Sequence, residues 1–240
     1  MAIKVVVGES SLTAGQMKDF WMKVSDGTIG RDNFGGFLED PHKFTREQIT
    51  IVRAIKILGA AKVVTAEQST KVWNVAVPET LPAIRYTDEI LRGCAESNKA
   101  GNTDFRLVYL QGFSLRQLRD IGEIRKIYHP SVSNRDWWLK EVEDAWATEK
   151  PNSDYYLIDF KGRWASKTWH KQDQKIADLD NYKRAHEASV AEAIVTIFKV
   201  TGERLLKGWF HWGSSQGSDA SRIGIGCYEE DGVGVYRDDA

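Results

Sequence analysis

The chain has 240 residues, 42% of them hydrophobic, 28% charged and 11% aromatic, which is ordinary globular composition. Thirty-three Lys and Arg against 34 Asp and Glu leave a formal charge of −1, so no global field draws the protein onto nucleic acid or an anionic membrane. Two cysteines, Cys94 and Cys227, make no disulfide framework and no four-ligand zinc site, no run of about 18 apolar residues offers a membrane span, and MAIKVVVGESS lacks a signal-peptide core; a cytoplasmic address is expected.

Residues 1–100 read as a helical region. Thr13 with Gln16, Thr45 with Gln48 and Thr65 with Gln68 each fit the capping box, in which the Thr hydroxyl accepts from the third helical N–H and the Gln side chain reaches back. After the first box Met17, Phe20, Trp21 and Val24 fall on one helical face, and Asp26-Gly27 ends it. After the second, Ile51, Val52, Ile55 and Leu58 form a comparable stripe closed by Gly59. The third helix is short and ends before Pro78, and a fourth, over 87–97, brings Ile90, Leu91 and Cys94 together.

From about residue 104 the texture becomes mixed. The spacing predicts a strand over 105–110, a helix opened by Ser114 and Gln117, and a clear strand over 154–160 introduced by Pro151-Asn152-Ser153. A long helix is expected over 182–199, with Val190, Ile194, Ile197 and Phe198 inward and Gly202 behind its end. Segments 222–228 and 233–236 flank the polar loop Glu229-Glu230-Asp231-Gly232 as a hairpin. By strand parity Ile223, Ile225 and Cys227 face the core with Val233 and Val235. The opposite face then carries Gly224, Gly226 and Gly234 with Arg222, Tyr228 and Tyr236, a smooth strip open to close approach.

No catalytic constellation emerges. His42, His129, His170, His186 and His211 are scattered, and His186-Glu187 is not continued into HExxH, so no metal is expected and no cofactor is implied. The loop 213–221 is rich in small donors but lacks the GxxxxGK[ST] frame, and Ser215 lacks G-x-S-x-G. Seven of the nine tryptophans lie between Trp137 and Trp212, mostly as core and loop anchors, with Trp209 and Trp212 the best candidates for partial exposure.

The segments LTAGQMKDFW, FRLVYLQGFSLR, DWWLKEVEDAWATEKP, YYLIDFKGRWA and HWGSSQGSDASRIGIGCYEEDGVGVY resemble an uncharacterised protein family of candidate-phyla bacteria, from which no activity follows. The YYLIDF strand, the helix with Glu187 and Glu192, the Trp212-Gly213-Ser214-Ser215 loop and the closing segments with Tyr228 and Tyr236 resemble the C-type-lectin-like fold of formylglycine-generating-type modules. The EPN and WND calcium motifs of lectins and the cysteine pair of the copper-dependent enzymes are missing, which leaves neither sugar and calcium binding nor that oxidation with its residues. Such domains usually run on into a last core strand where this chain has Asp239-Ala240, so either the C-terminus is truncated or the closure differs. The resemblance implies a loop-and-strand surface for a partner, as in receptor proteins diversified by retroelements.

The sequence therefore predicts an α+β protein: a helical region over 1–100, then a mixed C-type-lectin-like module with a small antiparallel sheet over 101–240. The expected function is non-enzymatic binding of a protein or small ligand through the C-terminal strands and the 213–221 loop, with Trp212, Ser214, Arg222, Tyr228 and Tyr236 as contact residues. Two alternatives stand beside it: a hydrolase or transferase using dispersed groups such as His211, Asp219 and Glu187, and a structural or assembly protein. The sequence leaves the partner and the oligomeric state open.

Overall fold

The computed structural model describes residues 2–6, 18, 21–23, 25, 49–123, 145–163, 167–179, 182–217, 220–230 and 232–238. The strands are β1 Ala2–Val6, β2 Val63–Val64, β3 Phe105–Leu110, β4 Asp154–Arg163, β5 Tyr182–Arg184, β6 Phe210–Gln216, β7 Arg222–Glu229 and β8 Gly232–Asp238. Beyond residue 48 the described helices are α1 Ile51–Leu58, α2 Ala66–Trp73, α3 Asp88–Lys99, α4 Leu115–Asp120, α5 Ala145–Thr148, α6 Trp169–Ala177 and α7 Glu187–Thr201. The class is α+β.

Local start signals account for most of these boundaries. Thr65 with Gln68 and Ser114 with Gln117 form complete capping boxes at α2 and α4, and Thr87 caps α3. The boxes at Thr13 and Thr45 lie outside the described residues. Helix α1 starts after Thr50, whose hydroxyl accepts from Arg53 N at 3.2 Å. Its inward line is Ala54 and Leu58, one turn apart, which leaves Val52 on the far side at 72% exposed although the sequence stripe included it. The expected helix over 182–199 begins late, because Tyr182–Arg184 is used as β5 on the free edge of β1.

The first hundred residues are not purely helical: β1 and β2 both belong to the sheet. Two three-stranded leaves, β2-β3-β4 and β6-β7-β8, meet through β1. One edge of β1 pairs antiparallel with β4, at Lys4↔Asp159, Val5↔Ile158 and Val6↔Leu157. Its other edge takes β5 over residues 4–6 and then β6, in parallel, at Ala2↔Trp212. Strands β2 and β3 are parallel, while β3/β4, β6/β7 and β7/β8 are antiparallel.

Every residue of β3 is buried, so the first leaf is covered on both faces. Alternation sorts its side chains into two cores. Phe105, Leu107 and Tyr109 join Val63, Tyr155 and Leu157 against α1 and α3, while Val108 and Leu110 join Val64, Ile158 and Phe160 against α7 and α4. Residues from Ala54 to Ala95 thus share one core with β3 and β4.

Helix α7 is the hub of the second core. All residues from Glu187 to Ile197 are buried, and the helix touches both leaves as well as α2 and α4. Gly202 ends it in the left-handed conformation, as the sequence predicts. Two carboxylates inside this helix are satisfied by backbone from elsewhere. Glu192 accepts from the N–H groups of Gln111, Gly112 (3.1 Å) and Phe113 (2.9 Å), tying α7 to the turn after β3. Glu187 accepts from Ser215 N and Ser215 Oγ, both at 2.8 Å, tying the start of α7 to β6.

Candidate functional site

Register places a row of aromatic and glycine residues on the outer face of β6-β7-β8. Trp212 lies opposite Gly224, which lies opposite Tyr236, and Phe210 lies opposite Gly226, which lies opposite Gly234. Directly paired residues of antiparallel strands share a face, so the three glycines and the three rings occupy one surface. A Cβ on Gly224 would come within 3.3 Å of the Phe210 ring and 3.4 Å of the Trp212 ring, and one on Gly234 would enter the Tyr236 ring. The rings therefore lie down over the glycines. Phe210 and Tyr236 stack at 5.4 Å with 24° between their planes, and all three rings are half-buried, which leaves a flat, partly wet aromatic surface.

Arg222 follows the same parity at the end of this row. Its guanidinium lies over the ring of Trp169 from α6, 3.8 Å from the centroid, and Arg184 approaches the same ring at 4.6 Å. Trp169 is fixed by donating from its indole N–H to Gly213 O at 3.2 Å. Arg184 is consumed by Asp173, Gln172 and the carbonyls of Trp169 and Trp212. Burial above all holds its guanidinium below the usual range, and the charge of Arg222 adds to this. Arg222 has no ion pair among the described residues, and its buried Nε has no hydrogen-bond partner. The indole N–H of Trp212 is likewise buried without one.

Two expectations for this face are corrected. Tyr228 is 3% exposed and belongs to the core, edge-on to Phe198 at 5.3 Å and close to the Arg204 guanidinium. Cys227, expected in the core with Ile223 and Ile225, is half-buried instead. The cause is a bulge. The β7/β8 register slips between Gly226 and Glu229, Cys227 takes φ 45°, and its N–H turns to Trp209 O at 2.5 Å. One extra residue reverses the parity beyond Gly226, which turns Tyr228 inward and Cys227 outward. Gly226 permits the crossing, because a Cβ there would collide with the Trp209 carbonyl and the Phe210 backbone.

The loop expected over 213–221 is shorter than the sequence suggests. Residues 213–216 continue β6, and Gly217 closes onto Ser221 O at 2.9 Å. Ser214 is exposed, while Ser215 is bound to Glu187. Trp212, Ser214, Arg222 and Tyr236 therefore stay at or near the outer surface, and Tyr228 leaves the set. Phe210 and Trp169 join it. Phe210 was legible as the same-parity neighbour of Trp212, whereas Trp169 arrives from 43 positions away in sequence from Trp212 and carries no local signal.

The dispersed groups weighed for catalysis do not gather at this surface. His211 faces the opposite side of β6, fully buried opposite Ile225, with neither ring nitrogen hydrogen-bonded. Burial, and then the charge of Arg184, holds it well below the usual histidine range. Glu187 is buried at the start of α7, and burial pushes its carboxyl up. Asp219 lies outside the described residues. No group of three or more metal-ligating side chains occurs among the described residues, and none of their helices is long and apolar enough to cross a membrane. Comparison of the chain with protein-family models, curated proteins and solved structures gives no match.

Proposed function

We infer that the protein is a non-enzymatic binding module that receives a protein or small ligand on the outer face of β6-β7-β8, with a C-type-lectin-like arrangement of that leaf over α7 and a cytoplasmic address as parts of the same reading. The observation that carries it is the row Trp212, Gly224, Tyr236 with the Phe210 ring stacked beside it. Flat aromatic rings offer a large contact area at small entropic cost, and the glycines beneath them let the rings lie down against the sheet. Arg222, held over Trp169, adds a cation of fixed position beside the rings. Ser214 adds an exposed hydroxyl on the same strand as Trp212.

The enzyme reading needs groups that meet solvent and substrate, and His211 and Glu187 are closed in the interior. The test compares the wild-type chain with a Trp212→Ala/Tyr236→Ala variant, both checked for native circular dichroism. Immobilised wild-type protein should retain a partner that mass spectrometry identifies and that free protein competes away, and the variant should lose it. Equal retention by a folded variant overturns the assignment of this face.

A further inference from the structure

A cavity of about 540 Å³ lies between the 149–152 segment, Tyr156 of β4, β5 and the start of α7, with Ser214 at its rim. Apart from the shared rim residue Ser214, the reading of the β6-β7-β8 face makes no use of it. Its volume suits a small molecule rather than a polymer.

The lining is dominated by donors. His186 is the N-cap of α7: its Nδ1 accepts from Ala188 N at 3.2 Å, which places the ring proton on Nε2. That Nε2–H is buried and has no hydrogen-bond partner; Glu149 Oε2 at 3.4 Å and Glu187 Oε2 at 3.7 Å are its nearest carboxylate oxygens. Glu187 is already occupied by Ser215 through both oxygens, and the Glu149 side chain is 60% exposed. Ser189, the third residue of the 15-residue helix, is 2% exposed and lines the cavity. Lys150 and Lys183 line the cavity too, and neither forms an ion pair among the described residues. Arg184 contributes to the wall, but its guanidinium is committed elsewhere.

An imidazole N–H without a hydrogen-bond acceptor, the Ser189 hydroxyl, two ammonium groups and the positive end of α7 converge on one small space. Such a set of donors suits a multidentate acceptor with more than one negative charge. We propose that this cavity binds a small phosphate monoester, with its phosphoryl oxygens accepting from His186 Nε2–H and Ser189 Oγ–H and its charge balanced by Lys150 and Lys183. The site does not depend on the aromatic face, so the two readings stand or fall separately.

The test titrates inorganic phosphate, and then ribose 5-phosphate, into the full chain by calorimetry at low ionic strength. Saturable binding of both is expected, tighter for the ester, with a shift of the His186 ring resonances. Ser189→Ala should weaken it about tenfold or more, since it removes a hydrogen bond to a charged group. The same variant should fold like the wild type without ligand, since alanine is the better helix former and leaves α7 intact. Lys183→Gln, on the surface, should weaken binding several-fold and flatten its salt dependence without touching the fold. Trp212→Ala/Tyr236→Ala should bind phosphate like the wild type. No saturation at about 10 mM phosphate, or equal binding by wild type, Ser189→Ala and Lys183→Gln, overturns the proposal.

Discussion

The carboxylate of Glu187 occupies the space that a side chain on residue 213 would need. A Cβ built on Gly213 runs into the Glu187 Oε1, Cδ and Cγ atoms, while the same carboxylate holds Ser215 two residues along β6. The start of α7 is thereby locked to a strand of the second leaf, and the lock needs glycine on the strand and glutamate on the helix. Gly213→Ala should cost about 1–3 kcal/mol of stability by overpacking a pinned group. Glu187→Ala should cost a similar amount by leaving the Ser215 donors without their acceptor. Because one change relieves the clash caused by the other, the double variant should be less destabilised than the sum by about 1 kcal/mol or more in urea unfolding. Strict additivity would separate the two residues.

Two buried titratable groups, His211 on β6 and Glu192 on α7, give opposing pH dependences. His211 is held well below its ordinary 6.5, so the native state resists taking up a proton that the unfolded chain binds. Its contribution is complete above pH 6.5 and is lost as pH falls below that value, at up to about 1.4 kcal/mol per pH unit. Burial pushes Glu192 up to about 7 from 4.5, against three backbone donors that pull it down. Its contribution is complete below 4.5 and is lost as pH rises through about 7. Between these values the two slopes oppose each other. Urea unfolding from pH 5 to 7 should therefore show a shallow wild-type profile, His211→Leu should gain stability toward acid relative to it, and Glu192→Gln should lose stability toward acid. Profiles displaced in the same direction would contradict the assignment of these two groups.

Much of the fold was written in short-range chemistry. Thr65 with Gln68, Ser114 with Gln117, Thr87 and Gly202 mark helix ends through bonds made within a few residues, and the strand-like run 105–110 is a strand buried on both faces. The sheet itself was less legible, because β1, β2 and β5 are short and owe their conformation to distant partners: Val63 to Leu107, Lys183 to Val5. The same holds at the candidate face. Trp212 and Tyr236 follow from parity, but parity assumes an unbroken ladder, and the extra residue at Cys227 reverses it for Tyr228. Glu187 and Glu192 anchor α7 through backbone donors on other elements, a role that no local pattern around either residue marks.

Tyr228 and Tyr236, eight residues apart in the sequence, should respond unequally to truncation. Tyr228 is buried against Phe198 and its hydroxyl is pushed up to about 12 by burial, so Tyr228→Ala opens a cavity in the core around α7. The cost should be about 3–5 kcal/mol. Tyr236 is half-buried on the outer face, and Tyr236→Ala should cost clearly less, because part of its ring already meets water. Chemical unfolding of the two variants at equal m-value orders them, and the reverse order would restore the unbroken parity of β7.

Cys227 offers a sharper probe of the same bulge. Both thiols are unbridged, with Cys94 3% exposed inside α3 and Cys227 half-buried with φ 45°. Ellman's reagent on the native protein should titrate one thiol quickly, absent in Cys227→Ala, and reach Cys94 only on unfolding. Left-handed backbone costs a residue with a Cβ about 1–2 kcal/mol, so Cys227→Gly should stabilise the protein by about 1 kcal/mol, less what the glycine costs in unfolded-state entropy. A cysteine packed inward with Ile223 and Ile225 on a regular strand would behave oppositely on both counts: it would stay unreactive, and its replacement by glycine would leave a hole and a floppier strand. The sign of the change in the unfolding midpoint therefore decides whether the aromatic face is built over a bulge or over a straight hairpin.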